Sequence, residues 1–374
     1  SMNANSAQGL SLQATVGADG TTVPSSTADI TISSNALTLT GSSFTSGGKL
    51  QIQPYTSGTT LGIGSGAGTM NLPNSLFSGT SVFKNGFSSI VLGGTTTGNI
   101  TVGGANTFVD SVTLLTGGNI TINSGATITN SENNGYIALA ATGNFINNAT
   151  GTPLSVTGTS GRWLVYSNAP SSDTFGTLNS SNAPVWNATF ANTAPSSVAA
   201  GNRYLFAVTP TITVTAGATK VYGTALSSAD VLGLTSSATG SSVYTLPTLA
   251  DVFSVNPVVT SNGLAATATV SGGPYAITVA PGTSNGSYNI SYATPGTITV
   301  TPKTLTVNNT IAPSKVYDGT LSAALTGGTL SGVVNGETVT LLQSGTFATK
   351  DVGSGISVTM TDTTDRSPCR TAST

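Results

Sequence analysis

From about Asp29 to Val156 the apolar positions fall in short alternating runs, among them Ile30-Thr31-Ile32, Leu37-Thr38-Leu39, Leu50-Gln51-Ile52, Ile90-Val91-Leu92 and Ile137-Ala138-Leu139. A period of two marks strands with one buried face. Gly-Gly, Asn-Gly, Ser-Gly and Thr-Gly pairs separate the runs and read as turns, with Gly and Asn supplying positive φ at low cost. No stretch of useful length carries the 3.6-residue period, so circular dichroism should show less than about one fifth helix.

Two runs are near copies. Gly98-Asn99-Ile100-Thr101-Val102 and Gly118-Asn119-Ile120-Thr121-Ile122 stand 20 residues apart, and Gly143-Asn144-Phe145-Ile146-Asn147 echoes them. Strands of three to five residues with a longer period near 20 fit a right-handed parallel β-helix, each coil stacking on the last so that inward Ile and Val form ladders. Residues 29–156 would make five or six coils, roughly 25–30 Å at the usual strand spacing. Residues 1–28 read as a lead-in.

Residues 157–209 change character, holding Trp163 and Trp186 together with Tyr166, Phe175, Phe190, Tyr204 and Phe206. A solenoid must hide its last coil, and bulky side chains do so, which makes this segment the expected cap. Beyond it a second repeat begins. Val208-Thr209-Pro210 precedes Thr211-Ile-Thr-Val214 and Lys220-Val-Tyr-Gly223-Thr, while Val300-Thr301-Pro302 precedes Thr304-Leu-Thr-Val307 and Lys315-Val-Tyr-Asp-Gly319-Thr. The offsets, 92 at the prolines and 95 at the lysines, imply tandem small β modules at 210–301 and 302–362. Proline suits the first residue of each leading strand. The fold class is therefore all-β throughout.

Composition narrows the chemistry. Ten Lys and Arg, twelve Asp and Glu, no His and one Cys in 374 residues leave no Ser-His-Asp or Cys-His nucleophile and no imidazole shell for a metal. No cofactor or metal ligand is expected. A net charge of −2 without clustered Lys or Arg argues against a nucleic-acid partner. Cys369 can form no internal disulfide. Mean hydropathy of +0.18 and ordered alternation argue for a folded chain rather than a disordered one. No run of 18 apolar residues occurs, so no transmembrane helix is expected. No basic-then-apolar leader follows Ser1-Met2, and an export signal is expected to lie outside this sequence.

At this point the residues carry a resemblance. Lys220-Val-Tyr-Gly223, with Gly286-Ser-Tyr-Asn-Ile290, resembles the YGX-type MBG domain of large bacterial exoproteins. Lys315-Val-Tyr-Asp-Gly-Thr320 resembles the YDG domain, and Gly161-Arg-Trp-Leu-Val-Tyr-Ser-Asn168 with the Gly-Asn-Ile-Thr repeats is similar to filamentous-haemagglutinin-like proteins exported by two-partner secretion. The resemblance implies a secreted, cell-surface adhesin acting in adhesion, aggregation or biofilm formation. Implied partners are surface glycans or proteins of host or bacteria, and an outer-membrane transporter for export. The YDG pattern is expected to stop near Asp362, with residues 363–374 a divergent tail and the last module incomplete.

Each candidate site has a plainer reading. Lys220, Tyr222 and Gly223, and Lys315, Tyr317, Asp318 and Gly319, could form a site because Lys and Tyr two apart share a strand face. The structural reading packs the Tyr ring inward and makes Asp318-Gly319 a tight turn. Gly62, Gly64, Gly66 and Gly68 lack the Lys-Ser/Thr of a phosphate loop, which leaves small-residue packing. Asp110 and Glu132, the acidic residues between Ile30 and Ser160, are the carboxylates a β-helix glycosidase would need, and they could meet only across stacked coils. Threonines such as Thr121, Thr127 and Thr129 could build a flat ladder only if repeated over many coils. The chain is read as non-enzymatic, with an inert spacer and a carbohydrate-active enzyme as the competing readings.

Overall fold

The computed structural model describes residues 2–6, 10–12, 15–16, 27–39, 43–77, 82–237, 243–245, 247–334 and 336–365. The chain is nearly all β, and much of the sheet is parallel. It forms two compact units, the first comprising Ser1–Val214, Leu234–Pro257 and Pro281–Ala293, the second Thr215–Gly233, Val258–Ala280 and Thr294–Thr374.

Among the described residues of the first unit, most of the alternating runs stack in three parallel ladders, beside two short parallel pairs, Leu10–Leu12 with Leu37–Leu39 and Thr15–Val16 with Ser43–Phe44. The largest has nine strands, running Met2–Ser6, Ile30–Ser34, Lys49–Gln53, Ser89–Gly94, Val112–Thr116, Tyr136–Ala141, Arg162–Ser167, Arg203–Phe206 and finally Val185–Trp186. A second holds Met70–Leu72, Leu61–Gly64, Ile100–Gly103, Ile120–Ile122 and Phe145–Asn147, and a third Ala105–Phe108, Thr127–Asn130 and Leu154–Val156. Between Ser89 and Val156 the chain visits the three in the same order three times, so each circuit is one coil.

Register explains the sequence pattern. Ile32, Ile52, Leu92, Leu114 and Leu139 stand one above another, each fully buried, and Leu61, Ile100 and Ile120 do the same in the second ladder. Burying each such side chain stabilises the unit by roughly 2 kcal/mol. A buried stack of phenylalanines lies beside them, Phe44 against Phe83 at 5.3 Å and Phe77 against Phe83 and Phe108 at 5.5 and 5.3 Å. Nothing in the alternation pattern points to this stack, because these residues are unevenly spaced and no run of alternation links them.

The Gly-Asn repeats work differently from expectation. Gly98, Gly118 and Gly143 do not adopt positive φ. Instead the Asn99 side-chain oxygen accepts from Asn119 N at 2.9 Å, and that of Asn119 from Asn144 N at 2.8 Å. A Cβ at Gly118 would stand 2.4 Å from Asn99 Oδ1, and one at Gly143 2.2 Å from Asn119 Oδ1. Glycine is required there because the asparagine of the coil below fills the space.

Residues 157–209 add three rungs to the largest ladder and then gather the aromatic residues. Tyr204 and Phe206 stack within 5° of parallel, Phe175 meets Tyr204 edge-on at 4.8 Å, and Trp186 lies 5.0 Å from Phe206. The Tyr204 hydroxyl donates to Leu178 O at 2.6 Å, so a deeply buried polar group is satisfied.

The second unit is built from short strands. Ala218–Val221 pairs in parallel with Thr297–Thr301, which pairs on its other side with Tyr275–Ala276. Ala216, Val231, Val259, Ile277 and Ile298 form its core. Further along, Ser322–Ala323, Thr340–Phe347 and Val358–Asp365 make an antiparallel sheet with Val358–Asp365 at its edge. Among the described residues from 303 to 365, Ala323 is the one buried apolar side chain. Cys369 and residues 366–374 lie outside the described residues, as do most of residues 1–28.

Candidate functional site

Asp110 and Glu132 do come near each other on successive coils, and both are already engaged. Asp110 is 3% exposed and accepts from Gly86 N at 3.0 Å; burial pushes its carboxyl above the usual range, with a smaller upward contribution from the Glu132 charge. Glu132 Oε2 accepts from Ser111 N at 2.6 Å and Ser111 Oγ at 2.5 Å. Both carboxylates thus serve turns of the ladder. The glycine stretch packs tightly: a Cβ at Gly62 would meet Gly66 O at 2.1 Å, one at Gly66 would meet Thr101 O at 2.0 Å, and one at Gly68 would meet Gly62 N at 2.2 Å, while Gly64 has φ of +64°. Thr101 stands on Thr121, but the next position is Ile146, so no threonine ladder extends across that face.

The two Lys-containing motifs lie in the second unit. Lys220 stands opposite Val300, one residue before the end of its strand, and is only 4% exposed, its ammonium donating to Thr224 O at 2.9 Å and to Ala265 O. Burial pulls its pKa down. Because the strand stops at Val221, Tyr222 enters the turn and does not share the lysine's face; its hydroxyl donates to Glu337 Oε1. Gly223 has φ of +89°, and a Cβ there would lie 2.6 Å from Val334 Cγ2.

The later motif repeats the lysine's role without the burial. Lys315 Nζ sits 2.7 Å from Asp318 Oδ1 and donates to Thr320 Oγ1 at 2.7 Å and Ser322 O at 2.8 Å, lying 5.8 Å over the Phe347 ring. That contact, with donation from Thr320 N, holds the Asp318 carboxyl down at about 2. Gly319 makes the turn with φ of +75°. Tyr317 does not pack inward as expected: it is 64% exposed, and residues 312–318 pair with no strand among the described residues.

Beside this motif runs a groove of about 560 Å³ between residues 312–320 and 347–360, lined by Val316, Tyr317, Phe347, Val352, Ile356 and Met360 among others. Of these the sequence reading singled out Tyr317 alone. The others carry no local signal, since an isolated Val or Met between polar residues looks the same at a core position and at an open one.

Residues 301–367 match the family model of the YDG domain. The chain carries a YDG domain. The match begins one residue before the expected module start at Pro302, and the last strand of the domain is described as far as Asp365. The groove and the motif Lys315 to Thr320 both fall inside the YDG domain. No curated protein and no solved structure gives a significant match to the chain.

Proposed function

We propose that the chain is a segment of a secreted bacterial surface adhesin, non-catalytic, in which a right-handed parallel β-helix serves as a shaft and carries small β modules that include the YDG domain. The observation that carries this reading is the order of parts along the chain: stacked parallel coils, an aromatic layer over the last rungs, then short-strand modules ending in YDG. A repetitive, charge-poor surface of Ser, Thr and Asn suits many weak contacts with surface glycans or proteins. Binding of that kind gains strength through copy number, since tethering raises effective concentration by orders of magnitude. Export through an outer-membrane transporter to the cell surface belongs to the same proposal. Engagement of Asp110 and Glu132 in turn hydrogen bonds favours binding over hydrolysis.

The test compares monomer with beads bearing many copies, on bacterial cells, host cells and glycan arrays. Beads should adhere where monomer does not. Equal inertness of both on every surface would replace the adhesin with a spacer. Sugar release abolished by Asp110→Asn would replace it with an enzyme.

A further inference from the structure

We infer that the turn Tyr222-Gly223 is a docking port for the YDG domain that follows it, seating Val334 and Glu337 and holding that domain at one angle to the sheet of Ala218–Val221, Thr297–Thr301 and Tyr275–Ala276. The inference is independent of the adhesin reading. Three backbone bonds shape the turn from its own side: Tyr222 N donates to Thr301 O at 2.9 Å, Gly223 N to Ala266 O at 3.2 Å and Thr224 N to Val221 O at 3.1 Å. A port fixed in this way by paired strand needs little ordering when something docks on it.

Two contacts cross from this turn to the YDG domain. The Tyr222 hydroxyl donates to Glu337 Oε1, and Val334 sits so close to Gly223 that a Cβ there would stand 2.6 Å from Val334 Cγ2. That crowding is not a demand of the turn itself. Gly286 has the same φ of +89°, yet a Cβ there would meet nothing within 4 Å. On the seated side Glu337 N donates to Val334 O at 3.1 Å, so one turn sets the spacing of the two residues. The connection between the sheets is short: Thr297–Thr301 runs straight into Pro302, and Thr306–Asn308 already pairs with Thr329–Ser331. Such a tether keeps port and domain at high effective concentration, so two modest contacts suffice to hold them together. The bond from hydroxyl to carboxylate adds direction, which apolar contact lacks. The pair then turns as one body rather than as two beads on a swivel.

The experiment puts spin labels at Thr219→Cys and Thr346→Cys, both exposed positions, in the whole chain carrying Cys369→Ser, and reads their separation by pulsed electron paramagnetic resonance. One narrow distribution of distances is expected. Tyr222→Phe removes only the hydroxyl and should broaden it, and Glu337→Ala should broaden it equally. Because the two side chains act through one bond, the double variant should be no broader than either single one. Val334→Asp, which sets a charge against the port, should abolish the narrow component. Circular dichroism should show the same β spectrum for the parent, Tyr222→Phe and Glu337→Ala, since none of these changes touches a core residue. A broad distribution in the parent would overturn the inference. So would a width unaltered by Tyr222→Phe and Glu337→Ala, or broadening that simply adds in the double variant.

Discussion

Lys220 is a charged side chain doing the work of an interior one. Its ammonium reaches Thr224 O and Ala265 O; the second also accepts from Ala268 N at 3.1 Å, so removing the lysine takes the ammonium from both and leaves Ala265 O its backbone donor. Lys220→Met should lower unfolding free energy by about 1–3 kcal/mol, the usual penalty for one buried acceptor left without its donor, measured from the denaturant midpoint. Lys315→Met should move it less, because its partners are open to water. Asp173 makes the opposite kind of prediction. Its carboxylate accepts from Phe145 N at 2.8 Å and Ser167 Oγ at 2.5 Å, yet desolvation outweighs both bonds and pushes it up to about 6. The folded state therefore holds this proton more tightly than the unfolded chain. The stabilisation is complete below about pH 4 and is lost as pH rises through about 6. At most about 3 kcal/mol is involved, each tenfold in proton affinity being worth about 1.4 kcal/mol, less the screening of its exposed part. In Asp173→Asn the thermal midpoint should fall less between about pH 4 and pH 7 than in the parent.

Among elements, the stacked Gly-Asn pair is the most specific device in the first unit. Gly118→Ala drives a methyl onto Asn99 Oδ1 and breaks its bond to Asn119 N, which should cost about 1–2 kcal/mol. In an Asn99→Ala background the same substitution should cost less, and a double-mutant cycle measures the coupling. If the two changes were simply additive, steric contact between these coils would not be the reason for the glycine. The repeat itself was legible at this scale, since Ile100 and Ile120 stand in one ladder as the 20-residue spacing implies. Its cause was not, because a sequence shows which residue turns the chain but not which neighbour lies beneath the turn. The lysine motifs show the same divide: their homology was readable at an offset of 95, whereas burial of Lys220 and exposure of Tyr317 depend on whether another strand lies across them.

For the molecule as a whole, alternation and composition were enough for the fold class and for the stacked parallel arrangement of the first unit, since both follow from local period. The Phe44, Phe77, Phe83 and Phe108 stack escaped notice because residues 54–88 interrupt the spacing with an excursion of their own. The groove escaped because a vacancy is a property of three dimensions.

The asparagine bond from each coil to the next also has a consequence for size. Asn99 and Asn119 each offer the same acceptor to the coil that follows, so these successive rungs share one connector. Removing residues 100–119 joins Asn99 directly to Ile120, keeping one apolar ladder residue over another and leaving Asn99 placed to receive Asn144. That variant should retain a β spectrum and a single cooperative unfolding of the first unit, whereas a deletion of ten residues within a coil should lose both. Reach is then a quantised quantity, added or shed one layer at a time at about 4.8 Å per layer. Lineages could lengthen or shorten such a protein by duplicating short stretches of gene, without redesigning anything it presents at either side.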